Sequence, residues 1–207
     1  MSPEAARNHP RFPPRFLAQA AANREVVIDV ASRLFREHGF DGIGLTDLMK
    51  GAGLNQGGFY KQFESKDDLA ALASRRAMES STGRWSTAAA STPDPLEAII
   101  RFYLSKDHRG EKGEGCPLVA LGSDVARRQS EEVKLPFQDG IKAHLQVLDE
   151  LMDVTEGSEP SGKAMTILSL MVGAVTLSRI LDEGLSQDVL NAAADEVRRI
   201  AASPAGK

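Results

Sequence analysis

Residues 43–63 read IGLTDLMKGAGLNQGGFYKQF and have the pattern of two short helices joined by a turn. The apolar spacing predicts helices at about Leu45–Ala52 and Gln56–Gln62. Gly53 falls in the turn between them, where glycine can take a positive φ without strain. Asn55 is a suitable N-cap for the second helix. The arrangement is a helix-turn-helix motif, in which the first turn of the second helix enters the major groove of DNA.

Helical spacing continues on both sides of this motif, and no stretch alternates apolar and polar residues long enough to predict a strand. Residues 26–35 predict a helix that ends near Gly39. Ser65 and the acidic residues that follow it predict the start of another helix. Residues 106–115 are polar and rich in glycine, which favours a loop.

Toward the C-terminus, two apolar helices are predicted at about Lys163–Glu183 and Ser186–Ala202, with Gly184 as the cap of the first. Taken together, these patterns predict an all-α protein of about nine helices. The first three form the helix-turn-helix part, and the others form a larger helical part behind it.

The charge of the chain is divided unevenly. Its 25 Lys and Arg against 29 Asp and Glu exclude a generally basic surface but not a local basic patch. Residues 1–76 hold 11 basic and 9 acidic residues, whereas residues 77–207 hold 14 and 20. A mildly cationic DNA-binding part on an acidic body would have this distribution.

Several classes of protein are disfavoured by the residues that the chain lacks. One cysteine allows no internal disulfide, and the four histidines show no metal-ligand spacing. No nucleophile motif is present, so we predict no enzyme activity, catalytic residue, metal or cofactor. The N-terminus has no apolar signal segment, and the longest uncharged run, between Lys163 and Arg179, is shorter than the roughly 20 residues of a membrane span. We therefore expect a cytoplasmic protein with no membrane partner.

The segment from residue 24 to residue 69 resembles the N-terminal domain of the TetR/AcrR family of transcriptional regulators. The resemblance implies a homodimeric one-component regulator, a repressor that leaves a palindromic double-stranded DNA operator when a small-molecule effector binds or a thiol is modified. The prolines near the N-terminus predict a disordered tail up to about residue 22. With the resemblance, the chain divides into this tail at 1–22, a DNA-binding domain at 23–68, an effector-binding and dimerisation domain at 69–202, and a tail at 203–207. The matching residues are Leu34-Phe35, Gly39-Phe40, Ala52-Gly53-Leu54-Asn55, Gly58-Phe59-Tyr60, Phe63 and Ser65-Lys66-Asp67-Asp68-Leu69.

The same resemblance assigns roles in DNA binding. Tyr60 and Lys66 would contact phosphates, for which their donors are suited. Gln56 and Lys61 would face base edges, because glutamine can pair with adenine and lysine with guanine. Gly57 and Gly58 each destabilise the second helix by about 1 kcal/mol relative to alanine, so we expect this helix to be loosely ordered until it binds DNA. The full predicted set is Gly44, Leu45, Thr46, Asn55, Gln56, Gly57, Gly58, Tyr60, Lys61 and Lys66. A plain helical hairpin is the alternative, but it gives Tyr60, Lys61 and Lys66 no role.

In the resembled family, the last two helices of each subunit form a four-helix dimer interface. The helix predicted at Lys163–Glu183 is apolar on two faces, which suits burial in a core or at such an interface. The residues predicted for the interface are Ile167, Leu170, Met171, Ala174, Leu177, Leu181, Leu190, Ala193 and Val197. A bundle internal to one subunit is the alternative.

Family members commonly bind a small molecule in the middle of this domain. The residues predicted to line that effector pocket are Trp85, Phe102, Tyr103, Cys116, Phe137, His144, Met165 and Met171; each of them could instead be ordinary core. Cys116 is expected at the N-cap of a helix, beyond a loop with Lys106, Arg109 and Lys112. Because a helix N-terminus and cations lower a thiol pKa, Cys116 could sense electrophiles or oxidants. A small buried residue is the competing interpretation.

Three alternatives remain open from the sequence. The chain could be a ligand-binding or thiol-reactive helical enzyme or sensor with a vestigial DNA-binding head. It could also be a structural DNA-binding protein without an effector. Within the tail, Arg7, Arg11 and Arg15 could form an arm on the minor groove or simply be solvated.

Overall fold

The computed structural model describes residues 14–154 and 159–203. In these residues the chain forms nine α-helices and one 3₁₀ helix and no strand, which confirms the all-α class. None of the described helices is long and apolar enough to cross a membrane. The elements are α1 (Pro14–His38), α2 (Leu45–Gly51), the 3₁₀ helix (Gln56–Lys61), α3 (Lys66–Ala90), α4 (Pro95–Tyr103), α5 (Lys106–Gly110), α6 (Pro117–Arg127), α7 (Glu131–Leu151), α8 (Gly162–Ser178) and α9 (Glu183–Ala202).

The chain has two hydrophobic cores, joined by the long helices α3 and α7. The first core is built from α1, α2, the 3₁₀ helix and the start of α3. Parts of α6 and α7 close it from the other side, through Leu121, Val133 and Phe137. We call the part of the chain from α1 through the 3₁₀ helix the head. Because α6 and α7 share the head's core, the head cannot shift without disturbing them.

The second core lies between the later part of α3 and α4, α6, α7, α8 and α9. Its largest buried side chains include Trp85, Ile99 and Tyr103. Leu148, Ile167 and Val197 complete its middle from α7, α8 and α9. This core forms the body of the protein, and α3 and α7 pack against each other along the way to the head.

Helix α1 begins well before the position expected from the sequence. Residues 14–22 were expected to belong to a disordered tail, but they form the first turns of α1. A proline is well tolerated at the start of a helix, and the alanines that follow are strong helix formers, which explains the early start. The rest of the predicted tail, with Arg7 and Arg11, lies outside the described residues, as does the side chain of Arg15.

Two predictions in the body were also wrong. Residues 106–110 form α5 instead of a loop, because the Ser105 hydroxyl accepts a hydrogen bond from the His108 amide and caps the turn at 3.1 Å. Gly184 does not end the preceding helix, since α8 stops at Ser178 and α9 has already begun. The Asp182 carboxylate caps α9 by accepting from the Leu185 amide at 3.1 Å, which starts this helix earlier than the sequence suggested.

Candidate DNA-binding site and the core behind it

The turn of the motif has the geometry that the sequence predicted. Gly53 has a φ of +70°, and open space surrounds the place where a Cβ would stand. Glycine is therefore required by the backbone conformation and not by crowding. The Gly53 amide donates to the Lys50 carbonyl at 2.9 Å, and the Leu54 amide donates to the Met49 carbonyl at 2.9 Å. These bonds end α2 and turn the chain toward the 3₁₀ helix.

The second helix of the motif is a 3₁₀ helix over Gln56–Lys61 and not an α-helix. Asn55 occupies the N-cap position of this helix, as predicted, but its side chain makes no capping hydrogen bond. No atom lies within 4 Å of a Cβ built on Gly57, and a Cβ on Gly58 would only touch Met49 at 4.0 Å. The two glycines are thus not needed for packing within the subunit, and they account for the short, tight helix.

Adjacent residues of this helix point in opposite directions. Phe59 is fully buried in the first core, whereas 73% of the Tyr60 surface is exposed. The two rings meet edge to face, with centroids 5.1 Å apart, so the buried Phe59 ring restricts the position of the Tyr60 ring. Gln56, Gly57 and Lys61 are exposed as well. The predicted base-reading and phosphate-contacting groups of this helix are therefore free to meet a ligand outside the subunit.

Two hydrogen bonds bring the other predicted DNA contacts to the start of α2. The Thr46 hydroxyl donates to the Gln56 side-chain oxygen at 2.8 Å, which joins α2 to the 3₁₀ helix. The Lys66 ammonium donates to the Ile43 carbonyl at 2.7 Å, just before α2 begins. Lys66 and Gln56 can still bond to DNA, because an ammonium has three donors and the amide of Gln56 keeps both of its hydrogens. Gly44 is the N-cap of α2 and offers no side-chain cap.

Sequence reasoning left out Lys50, which is exposed four residues after Thr46 in the same helix. Residues four apart lie on one side of a helix, and this spacing was the signal that could have found it. Leu45, Gly58 and Lys66 are half-buried, so they offer less surface to DNA than the other residues of the predicted set.

A loop at residues 111–116 links the head to the body, because three arginines from different parts of the chain donate hydrogen bonds to its carbonyls. Arg36 of α1 is buried and donates to the Gly115 carbonyl at 3.1 Å. Arg84 of α3 and Arg179, which directly follows α8, donate to two further carbonyls of this loop, at 2.6 and 2.9 Å. A change in the body near this loop therefore reaches the first helix of the head through a buried cation.

A second link joins the head to α6. The Asp124 carboxylate accepts from the Phe40 amide at 3.1 Å. Arg128 follows one turn later, with its guanidinium 3.1 Å from both Asp41 and Asp67. These contacts hold the end of α1 and the start of α3 against the body.

The structure brings together most of the residues predicted for the effector pocket. Trp85, Tyr103, Cys116, His144 and Met171 all lie in or against the second core and are at most 3% exposed. Phe102 packs beside them and is half-buried. Two predictions were wrong for reasons of packing: Phe137 belongs to the first core, next to the head, and Met165 faces outward with 46% of its surface exposed.

Two histidines are buried beside this cluster. His144 lies against the edge of Trp85, with ring centroids 4.6 Å apart, and its Nδ1 donates to the Gly140 carbonyl at 2.7 Å. Its Nε2 then accepts from the Ser81 hydroxyl at 3.1 Å. His108, which the sequence placed in a loop, stands 4.6 Å from the Tyr103 ring. Burial lowers the pKa of both histidines, so both are neutral at pH 7.

Cys116 occupies the predicted N-cap position of α6, but its surroundings differ from those expected. The thiol is buried and makes no capping hydrogen bond. Burial raises the pKa of Cys116, which opposes the lowering that a helix N-terminus would give. Two of the expected cations, Lys106 and Arg109, pair instead with Glu183 at 2.7 and 2.5 Å. The thiol in this conformation is therefore protonated and shielded.

The predicted dimer residues fall into two groups. Leu177 and Leu181 are exposed and Leu170 is half-buried, as an interface requires of a single subunit. The other six are buried in the subunit's own second core, where the helix face that looked like an interface packs against α7 and α9. Those six are Ile167, Met171, Ala174, Leu190, Ala193 and Val197. Ile180 and Leu185, which sequence reasoning missed, are 77% and 47% exposed and extend the apolar surface between α8 and α9.

The geometry of α2, the Gly53 turn and the 3₁₀ helix defines a helix-turn-helix DNA-binding protein. Residues 27–73 match the family model described as bacterial regulatory proteins, tetR family. Residues 27–73 are thus a DNA-binding segment of the tetR family, and the chain is a DNA-binding transcriptional regulator.

Individual relatives agree with this assignment. The HTH-type transcriptional regulator LmrA of Bacillus subtilis is 28% identical over 75% of this chain and 86% of its own length. The HTH-type transcriptional repressor NemR of Escherichia coli is 25% identical over 88% of this chain and 95% of its own. The fold is shared with the crystal structure of E. coli NemR in its reduced form, with a TM-score of 0.74, 24% identity and coverage of 89% of this chain and 100% of that one. A TetR regulator from Chloroflexus aurantiacus has a TM-score of 0.73 at 24% identity, with 88% of this chain and 95% of that chain covered.

Proposed function

We propose that the chain is a cytoplasmic homodimeric repressor that binds a palindromic operator through the 3₁₀ helix of each subunit. The observation that carries this proposal is the pair Phe59 and Tyr60, in which a fully buried ring supports a tyrosine that is 73% exposed. A tyrosine ring that is mostly exposed contributes little to the packing of the subunit beyond its edge-to-face contact with Phe59. It is well placed to donate to a phosphate and so to set the register of the head on DNA.

The remaining roles follow from the contacts around α2. Lys66 and the segment from Gly44 to Thr46 lie at the start of α2, where they would meet the DNA backbone. Gln56, with its oxygen held by Thr46, keeps its amide hydrogens for a base edge. Lys61 would donate to a guanine, and the open space at Gly57 would let the backbone approach the groove.

We place the dimer interface on the exposed apolar surface where α8 meets α9. Leu177, Ile180, Leu181 and Leu185 are 36% to 77% exposed, and such apolar surface is buried when two copies associate. Two-fold symmetry would then present the two heads to half-sites about 34 Å apart.

Release from the operator would come from an effector in the second core or from modification of Cys116. Either event must open the core, because Cys116 is 3% exposed. The loop before Cys116 is bonded to Arg36 of the head, so its displacement would change the position of the recognition helices.

Selection of bound duplexes from random DNA, at near-physiological salt, tests the DNA-binding part of this proposal. We expect the full chain to enrich an inverted repeat. Tyr60→Ala should lose affinity for that repeat while it keeps the wild-type unfolding midpoint. Failure of the intact dimer to enrich any sequence would contradict the proposal and would favour an enzyme or sensor with a vestigial head.

A matched pair of lysine variants sharpens the test. Lys61 and Lys142 are both exposed, but Lys142 lies on α7 of the body. Lys61→Ala should weaken operator binding and, if the ammonium pairs with a phosphate as well as a base, reduce the dependence of log K on log salt by about one. Lys142→Ala makes the same change in net charge and should alter neither quantity. Equal effects of the two variants would indicate general electrostatic attraction in place of a defined interface.

A further inference from the structure

Two hydrogen-bond donors in the second core have no partner. Among the described residues, nothing accepts a hydrogen bond from the Trp85 indole nitrogen or pairs with the Tyr103 hydroxyl. The two side chains are 0% and 1% exposed, so solvent at the surface does not satisfy them. A buried polar group without a partner destabilises the fold by about 1–3 kcal/mol. Two such groups in one cluster need an explanation.

The two donors belong to one compact aromatic cluster. The Trp85 and Tyr103 rings are perpendicular, at 88°, with centroids 5.6 Å apart. His144 packs on Trp85 and His108 on Tyr103, each at 4.6 Å. The Cys116 thiol is near enough to the Tyr103 hydroxyl to help raise its pKa, but the two groups lack the geometry of a full hydrogen bond, and sulfur is a weak acceptor. A single ligand oxygen that reached both donors would satisfy the two groups together.

The charges around the cluster select the kind of molecule. Burial keeps His108 and His144 neutral at pH 7, and burial raises the pKa of Tyr103 well above its ordinary value, so the tyrosine stays a donor. The nearest guanidiniums, of Arg84 and Arg179, are already bonded to loop carbonyls. Both unpaired donors are themselves uncharged, so a neutral acceptor oxygen can pair with them without the desolvation cost that a buried carboxylate carries.

We propose that the effector is a small neutral molecule with a carbonyl oxygen that accepts from the Trp85 indole and the Tyr103 hydroxyl. This inference rests on the proposed function and specifies the chemistry of its effector. Carbonyl oxygens have two lone pairs and can accept from both donors. The cluster is closed, so the ligand selects a more open arrangement of these side chains. Their displacement moves the loop at residues 111–116, which follows α5.

The first test needs no ligand. Tyr103→Phe removes a hydroxyl that has no partner, so the thermal midpoint of the full chain should stay the same or rise. Ser74→Ala is the control, because the Ser74 hydroxyl is also buried without a partner but lies three turns earlier in α3, away from Trp85. A fall of several degrees with Tyr103→Phe alone would show that this hydroxyl is already bonded in the folded chain and would overturn the proposal.

The second test uses the fluorescence of Trp85, the one tryptophan of the chain. Matched probes are acetophenone against ethylbenzene and cyclohexanone against methylcyclohexane, which differ by a carbonyl oxygen. At least one ketone should shift the emission to longer wavelength at a concentration about tenfold lower than its hydrocarbon partner needs. Tyr103→Phe should remove most of this preference, and Ser74→Ala should keep it. Equal response to ketone and hydrocarbon, a preference unchanged in Tyr103→Phe, or no response up to the solubility limit would each overturn the proposal.

Operator binding is measured on the same preparations, so the two proposals can fail separately. If the inverted repeat is bound and Tyr60→Ala abolishes that binding, the regulator stands even when no ketone is preferred. If ketones are preferred but no operator is enriched, the site stands and the regulatory role fails.

Discussion

The head and the second core place their polar side chains in opposite ways. The head buries apolar groups such as Phe59 and Leu48 and exposes Gln56, Tyr60 and Lys61. The second core buries Tyr103, Cys116 and His144 and keeps them away from solvent. A surface that reads DNA must present donors outward from a rigid support, whereas an internal site must hold donors where a ligand can replace water. The two regions are therefore suited to different contacts: the head to a partner outside the subunit, and the second core only to a molecule that enters it.

The sharpest test of this contrast within the head is the adjacent pair Phe59 and Tyr60. Phe59→Ala should reduce the free energy of unfolding by about 3–5 kcal/mol, because a fully buried ring leaves a cavity in the first core. Tyr60→Ala should change it by less than about 0.5 kcal/mol, since the ring is mostly exposed. Urea unfolding of both variants measures the difference. Comparable losses would show that Tyr60 is part of the head's core.

The contact between the two regions comes next in size. Arg36→Met should destabilise the chain by about 2 kcal/mol, because it leaves the Gly115 carbonyl without its charged donor. Arg33→Met is the matched control: Arg33 is half-buried and pairs with Glu37 at 3.0 Å, a contact worth about 0.5 kcal/mol or less. Calorimetry should show the unfolding of head and body beginning to separate for Arg36→Met alone. A single unshifted transition would mean that Arg36 does not join the two regions.

Two glycines of the motif separate folding from DNA binding. Gly53→Ala should cost about 1 kcal/mol, because alanine is strained at a φ of +70°. Gly57→Ala has open space and no positive φ, so stability should be unchanged or slightly higher. We expect Gly57→Ala nevertheless to weaken binding to the selected operator, measured by fluorescence anisotropy. Normal operator affinity in this variant would remove Gly57 from the interface.

The smallest expected effect is a dependence of body stability on pH. The pKa values of His108 and His144 are lowered by burial, so below pH 6.5 the unfolded chain binds protons that the folded chain does not. The thermal midpoint should therefore fall as the pH drops from 7 to 5. His144→Asn should flatten this dependence, with an amide nitrogen in place of Nδ1.

Glu97 does not obscure that range. Hydrogen bonds from Arg198 and then from Arg101 lower the pKa of Glu97 to about 2, so its contribution is lost only as the pH falls below the ordinary carboxylate range. An equal fall of the midpoint in wild type and His144→Asn would assign the pH dependence to other groups.

The sequence predicted the helices and the turn of the head well, because these depend on neighbouring residues. Gly53 was recognised from its place between two apolar patterns, and its positive φ confirms the reason. Residues 14–22 and 106–110 were missed because proline and a polar, glycine-rich stretch suggested irregular structure, although both segments begin with residues that can start a helix.

The predicted sites in the body were less accurate. The periodicity of α8 revealed two apolar faces but not which one the subunit itself would cover, so Ile167 was assigned to the dimer and Ile180 was missed. Cys116 was placed correctly at a helix start, but the helix effect on its pKa is opposed by burial that no local pattern reports.

The sequence by itself determined the all-α class and the helix-turn-helix motif, because helical periodicity and the backbone needs of glycine are properties of short segments. Only the tertiary structure decided which polar groups are buried together. Trp85, Tyr103, Cys116 and His144 come from four different helices or their caps, and they meet because α3, α4, α6 and α7 pack around one core. Burial, and with it the protonation and the unmet hydrogen bonds of these groups, arises from contacts between residues that are distant along the chain.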